Sequence, residues 1–341
     1  MAADEDALIA AALGAGDDDY AAAVAALVEH GGRRVEVAAV VLCEDPAPPA
    51  RMLGIDLLVG LTWTDRHGMI NRAVPAIEGL IGREPDVRVL CAGIAAAGNI
   101  FDPRLLAPVL RQVGHPAPDV RQQVAMTVPF LDPQADGRDR VVTALFALMR
   151  DGDPAVRDWS TMALGSLMDA DSPEIRAALF ERLEDDNPDA RAEARAGLAR
   201  RHDPRASGLV RDALLRGDVG EIDVKSAGWL ADPGLVDSLI RLRARDAGWE
   251  EELEIAIERC DPERQAQVVT EGRALLERAD RMLPGADVRI SQELLDPEDV
   301  HLEAGPDGVL HWSYLDFIRV QAHDVEAAVH AIVREMEALA D

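Results

Sequence analysis

A four-residue phrase returns along the middle of this chain and restricts what it can fold into: Pro85-Asp86-Val87-Arg88, Pro118-Asp119-Val120-Arg121, Pro154-Ala155-Val156-Arg157 and Pro188-Asp189-Ala190-Arg191. Each copy opens a stretch rich in small residues, and neighbouring arginines stand 33, 36 and 34 residues apart. That period is the length of a helical hairpin with its turns, so the chain reads as hairpins laid side by side rather than as one closed core. Such an array fixes a surface without fixing what the surface does.

Composition agrees. Aromatic residues make up only 4% of the 341 residues while the hydrophobic fraction is 48%, so the interior has to be built from Ala, Leu and Val, which let helices approach closely. Turns marked by Asp-Pro, Gly or Asn-Pro alternate with helical stretches. The expected helices are 4–13 and 18–29, with Asp17 as N-cap of the second, then 33–44 with 47–62, 69–82 with 85–98, and 103–113 with 118–131. These are followed by 137–150 with 154–168, 172–184 with 188–200, 204–216 with 219–231, 234–245 with 249–259, and a closing helix at 262–282. Residues 1–32 form a helical cap on this reading, 33–283 the repeat array, and 284–341 a separate C-terminal domain.

Within the second helix of each pair the pattern runs Val-Arg, small residues, then an apolar ending, as in Val156-Arg157-Asp158-Trp159-Ser160-Thr161-Met162-Ala163-Leu164-Gly165. In this the chain resembles the HEAT-repeat superfamily over about residues 33–260, particularly the short bacterial repeats also found in phycobilin lyases. The resemblance implies a mainly α fold, an α-α superhelix, to which the change of pattern after residue 283 adds a small α+β C-terminal domain. It also implies that the arginine ladder of Arg88, Arg121, Arg157 and Arg191 stacks between repeats as a packing device, Asp153 serving with Arg157 and Asp189 with Arg191. Pro48-Pro49-Ala50-Arg51 and Glu221-Ile222-Asp223-Val224 begin blurred copies towards the two ends.

Positions three, four, six and seven after the arginine fall on the buried side, so positions two and five turn to the inner surface that second helices line in this family. They hold Leu53 and Asp56, Leu90 and Gly93, Gln123 and Met126, Trp159 and Met162, then Glu193 and Ala196. Leu90, Gln123, Met126, Trp159 and Met162 make a stripe suited to a protein partner, since interface anchors favour Trp and adaptable surfaces favour Met. A register shift by one residue would instead put these side chains in the core.

From Pro284-Gly285 the period changes to alternation: 287–291, 300–303, 309–314 and 317–320 read as strands, with Gly305-Pro306-Asp307-Gly308 as a hairpin turn. A helix follows with Asp324 as N-cap and Val325, Ala328, Val329, Ile332, Val333, Met336 and Leu339 on one face. This segment holds thirteen acidic and three basic residues, and is either an acidic docking face for a basic partner or a solvated cap on the last repeat.

The formal net charge is −28, and Lys225 is the single lysine, so nonspecific nucleic-acid binding is disfavoured and no phosphate-loop Gly-Lys exists. Cys43, Cys91 and Cys260 are odd in number and widely spaced, which points to no disulfide framework, no metal site and, for Cys43 and Cys91, small core residues. His301, His311, His323 and His330 crowd the C-terminal domain, where a hairpin would bring His301 near His311, but no carboxylate or thiol stands at ligand spacing beside them. No His precedes a Glu, unlike the di-iron hydroxylases built from HEAT repeats, and Arg157, Asp158 and Trp159 echo the HEAT-like DNA glycosylases only faintly. No cofactor is expected. Without an apolar run of membrane-spanning length or a basic leader, the chain reads as cytoplasmic. The functional expectation is a noncatalytic scaffold or adaptor for a protein partner, with basic partners favoured by charge. The rivals are an acidic inhibitor of a basic toxin or nuclease, and a lyase-type or glycosylase-like enzyme.

Overall fold

A computed structural model describes residues 2–131, 135–168, 170–216, 219–245, 249–283, 287–292, 300–304, 310–313, 317, 320–321 and 324–340. The chain divides into two compact units, Met1–Leu167 and Met168–Asp341. In the first, helices pair as α1 (Ala2–Gly14) with α2 (Asp17–His30), α3 (Arg33–Leu42) with α4 (Pro48–Thr64), and α5 (Arg66–Arg83) with α6 (Val87–Ile100). They continue with α7 (Leu106–Leu110), α8 (Pro118–Thr127), α9 (Ala135–Leu148) and α10 (Pro154–Met162). A 3-10 turn Val128–Leu131 extends α8 and a π-helical turn Ala163–Leu167 extends α10. The second unit holds α11 (Pro173–Glu181), α12 (Pro188–Arg200), α13 (Ala206–Leu215), α14 (Glu221–Leu230), α15 (Val236–Arg243), α16 (Glu250–Cys260) and α17 (Pro262–Met282). After these come β1 (Arg289–Gln292), β2 (Val300–Ala304), β3 (Leu310–Ser313) and α18 (Val325–Ala340).

Capping explains where the helices begin. Asp153 accepts from the N–H groups of Ala155 and Val156, and Asn187 from that of Asp189, with Pro154 and Pro188 at the first helical position where a missing donor costs nothing. Asp65, Asp86, Ser172 and Asp261 cap α5, α6, α11 and α17 in the same way. At α2 the expected cap moves by one, because Gly16 takes the N-cap place and Asp17 is already helical.

Small residues set the helix spacing. A Cβ added at Gly54 of α4 would lie 2.7 Å from the backbone nitrogen of Cys43 and 2.9 Å from the carbonyl of Ala39, so α3 and α4 meet almost backbone to backbone. Around them the core is Ala, Val, Leu and Ile, among them Leu53, Ile55, Leu57, Leu58, Ile77 and Ile94.

The C-terminal strands form an antiparallel sheet in the order β1-β2-β3. Leu302 pairs with Ile290 on one side and Trp312 on the other, and Arg289 faces Glu303, whose carboxylate accepts a hydrogen bond from Arg289 Nε at 2.5 Å. Leu302, Ala304, Ala328, Val329 and Ile332 share a core with Leu275 and Ala279 of α17, so the long closing helix of the array also floors the sheet. The expected strand over 317–320 is absent where described: Phe317 and Val320 are helical, and Phe317 drops into that core. The predicted turn 305–308 lies outside the described residues.

Candidate partner-binding surface

The arginine ladder has a definite construction. Arg121 of α8 gives Nη1 to the carbonyls of His115 and Pro116 at 2.8 and 3.1 Å, and its Nε and Nη2 reach both oxygens of Asp151 at 2.7 Å each. Arg51 of α4 repeats this with the carbonyls of Asp45 and Pro46 and both oxygens of Glu84. Arg157 and Arg191 clamp the carbonyls five and six residues before them in turn. The acid stands two residues ahead of the N-cap of the following repeat's second helix and also accepts that cap residue's N–H: Glu84 from Asp86, Asp151 from Asp153. One carboxylate thus organises its own loop and ties the previous repeat to it. The Arg121 guanidinium holds the Asp151 carboxyl below the usual range.

Two expectations are corrected by this geometry. Arg88 is not a rung. In α6, Pro85 precedes the N-cap Asp86 instead of filling the first helical position, so the phrase slides by two residues, Arg88 turns outward and Leu90 takes the place that Arg121, Arg157 and Arg191 occupy elsewhere. Arg51, whose copy looked blurred, is a full rung. Nor do the helix-start acids serve the ladder as the resemblance implied: Asp153 spends its carboxylate on the helix cap, and Arg191 is clamped by the carbonyls of Asp185 and Asp186 rather than by Asp189.

The stripe is affected by the same slip. Leu90 is 2% exposed and belongs to the core. The α6 positions equivalent to Gln123 and Met126 are Ala92 and Ala95, both half-buried. Gln123, Met126, Trp159 and Met162 are half-buried as well, while the residues three, four, six and seven after Arg121 and Arg157 are buried. Gln123 donates its amide to Thr127 Oγ1 at 3.2 Å.

Sequence reasoning missed an exposed aromatic cluster. Trp63, Phe101 and Phe130 are 67%, 46% and 46% exposed, and they lie at the C-terminal ends of α4, α6 and the 3-10 extension of α8. Their rings meet edge to face, with centroids 6.3 and 6.1 Å apart at 75° and 90°. Phe101 is left-handed at φ 53°, a conformation that a bulky residue rarely adopts, and Arg66 at the start of α5 caps that helix end by donating to the carbonyls of Ile100 and Phe101 at 2.7 and 3.3 Å. A legible signal existed: each ring stands one or two residues before an aspartate, in Trp63-Thr64-Asp65, Phe101-Asp102 and Phe130-Leu131-Asp132. Phe130 follows Met126 by about one turn, so the aromatic row continues the α8 part of the stripe.

Reactive chemistry is poorly served by the described side chains. Burial pushes the Cys43 and Cys260 thiols up to about 12, and Cys260 donates to the Ala227 carbonyl at 3.3 Å, so both stay protonated at neutral pH. Lys225 pairs with Glu221 one turn earlier at 2.6 Å. Among the described residues no group of three or more His, Cys, Asp or Glu is placed to hold a metal ion, and no helix is long and apolar enough to cross a membrane. In the sheet His301 lies opposite Ser313 and His311 opposite Glu303, so the two histidines occupy diagonal rather than facing positions.

Paired helices tied by arginine–carboxylate contacts recur along the chain, and its middle part carries a recognised repeat pattern. The profile described as HEAT repeats matches residues 106–199 and 142–231. Protein YibA of Escherichia coli K12 is 26% identical over 140 residues, 41% of this chain and 48% of YibA, so the chain spans about half the length of that relative. The solved structure of YibA aligns over 75% of this chain and 96% of its own at a TM-score of 0.55 and 20% identity, a likeness of fold. The complex of CpcE and CpcF of phycocyanin lyase from Nostoc sp. PCC7120 aligns over 67% of this chain and 88% of its own, at a TM-score of 0.43 and 15% identity.

Proposed function

We propose that this HEAT-repeat chain is noncatalytic and binds a protein partner through the second-helix surface of its first unit. The observation that carries the reading is the exposed row Trp63, Phe101 and Phe130, continued by Met126 on α8 and joined by the half-buried Trp159 and Met162 on α10. Large apolar side chains in a contiguous exposed row are costly to a free protein and are the residue types that dominate interfaces. The test is quantitative affinity capture with the tagged chain from its own cells, comparing wild type with Trp63→Ala/Phe101→Ala and with Trp159→Ala, each checked for unchanged helical circular dichroism. Loss of one stoichiometric protein from the variants supports the surface, and equal recovery from all three overturns it.

The net charge of −28 favours a second reading, an acidic inhibitor of a basic toxin or nuclease. Salt separates the two. A complex that weakens steeply between 50 and 500 mM salt, roughly a hundredfold or more, belongs to the inhibitor, while an aromatic contact is far less sensitive.

A further inference from the structure

The Arg191 guanidinium is built like those of Arg51 and Arg121, but no carboxylate of the described residues closes it. Nη1 of Arg191 is clamped by the carbonyls of Asp185 and Asp186 at 2.6 and 3.1 Å, the same clamp that aims Nε and Nη2 of Arg51 and Arg121 at a carboxylate. Here the guanidinium lies in the wall of a cavity of about 480 Å³ between α11, α12, α13 and α14. Arg195 and Arg216 share that wall. Arg195 gives Nε and Nη2 to a single oxygen of the buried Asp223, at 2.9 and 2.7 Å, which neutralises that acid. Glu184 and Asp189, both exposed, stand at the rim, and the remaining lining is largely apolar, including Leu209, Ala213 and Ile222.

We infer that this cavity binds a carboxylate carried on an apolar body, the acid closing the Arg191 fork as Asp151 closes that of Arg121, and the body lying against Leu209, Ala213 and Ile222. A planar fork held by two carbonyls beside apolar side chains suits a carboxylate better than a hydrated spherical anion. The ligand is either a free organic acid or the C-terminal residue of a peptide. In sequence, the ladder acid of the following repeat would be Asp218, two residues before the cap Gly220 and outside the described residues, and it enters the test as the competing occupant.

Binding is read by the ¹⁹F line width of 4-fluorobenzoate, against 4-fluorobenzamide as the neutral isostere, with the full chain. The expected result is broadening with the acid only, weakened at least roughly tenfold by Arg191→Gln and several-fold by Arg216→Gln, which leaves the ladder intact. Arg88→Gln leaves it unchanged. N-acetyl-leucine and a hexapeptide ending in leucine then compete for the site, and the tighter one assigns the source. Equal broadening by acid and amide, or an acid signal indifferent to Arg191→Gln, overturns the site. So does binding that appears only in Asp218→Ala, since the chain's own side chain would then fill the fork.

Discussion

Arg121 and Arg88 stand in the same four-letter phrase and have opposite consequences. The Arg121 side chain is 17% exposed and its partner Asp151 is 11% exposed, and the guanidinium satisfies two carbonyls as well as the acid. Removing it leaves a partly buried carboxylate and two carbonyls short of a donor. Arg121→Ala therefore lowers the unfolding free energy by about 2–3 kcal/mol, whereas Arg88→Ala, on an outward-facing side chain, changes it by less than about 0.5 kcal/mol. Urea titration of both variants checks this. Comparable losses would mean that the slip of α6 has been misread.

Helix starts decide how the elements assemble, and small residues decide how closely. Gly54 meets backbone atoms of α3, which cannot give way as a side-chain tip does, so Gly54→Ala costs roughly 1–3 kcal/mol. Gly208 on α13 has nothing within 4 Å of the position its Cβ would take, and Gly208→Ala stabilises by up to about 1 kcal/mol through helix propensity alone. Thermal melts of the two variants should shift in opposite directions. Most of this level was legible beforehand, because Asp-Pro and Asn-Pro set caps that no distant contact overrides, and the second helices at 118, 154 and 188 start where the phrase puts them. The register of α6 was not. Its phrase is letter for letter that of α8, and only the placing of Pro85 outside the helix, a matter of local backbone, moves Leu90 inward and Arg88 out. The aromatic row escaped for a different reason: helical periodicity points at the middle of a helix, while Trp63, Phe101 and Phe130 are set by how each helix ends.

For the whole molecule the governing quantity is charge. Sixty-three acidic residues against thirty-five basic ones repel one another at neutral pH, and acid relieves that repulsion. Yet Asp102, Asp151, Asp171 and Asp203 are held below the usual carboxylate range by hydrogen bonds from Arg104, Arg121, Arg176 and Arg205. Because their folded values are depressed, the stability they contribute is present above the ordinary carboxylate pKa and is lost as pH falls through the folded values. The urea midpoint is therefore expected to hold or rise from pH 7 to about 5 and to fall below about pH 4. A midpoint that kept rising into that acid range would show repulsion, not the arginine pairs, to be in control.

The ladder also has a sense. Arg51 and Arg121 each lean on an acid belonging to the repeat after their own, so deleting hairpins from the C-terminal side strands a guanidinium, which water accommodates readily. Trimming from the N-terminal side strands a carboxylate that still has its own loop amide to hold, as Asp151 holds Asp153. Shortened versions of this protein should thus differ in their fraying according to which terminus was shortened, a polarity that a stack of identical hairpins would not possess.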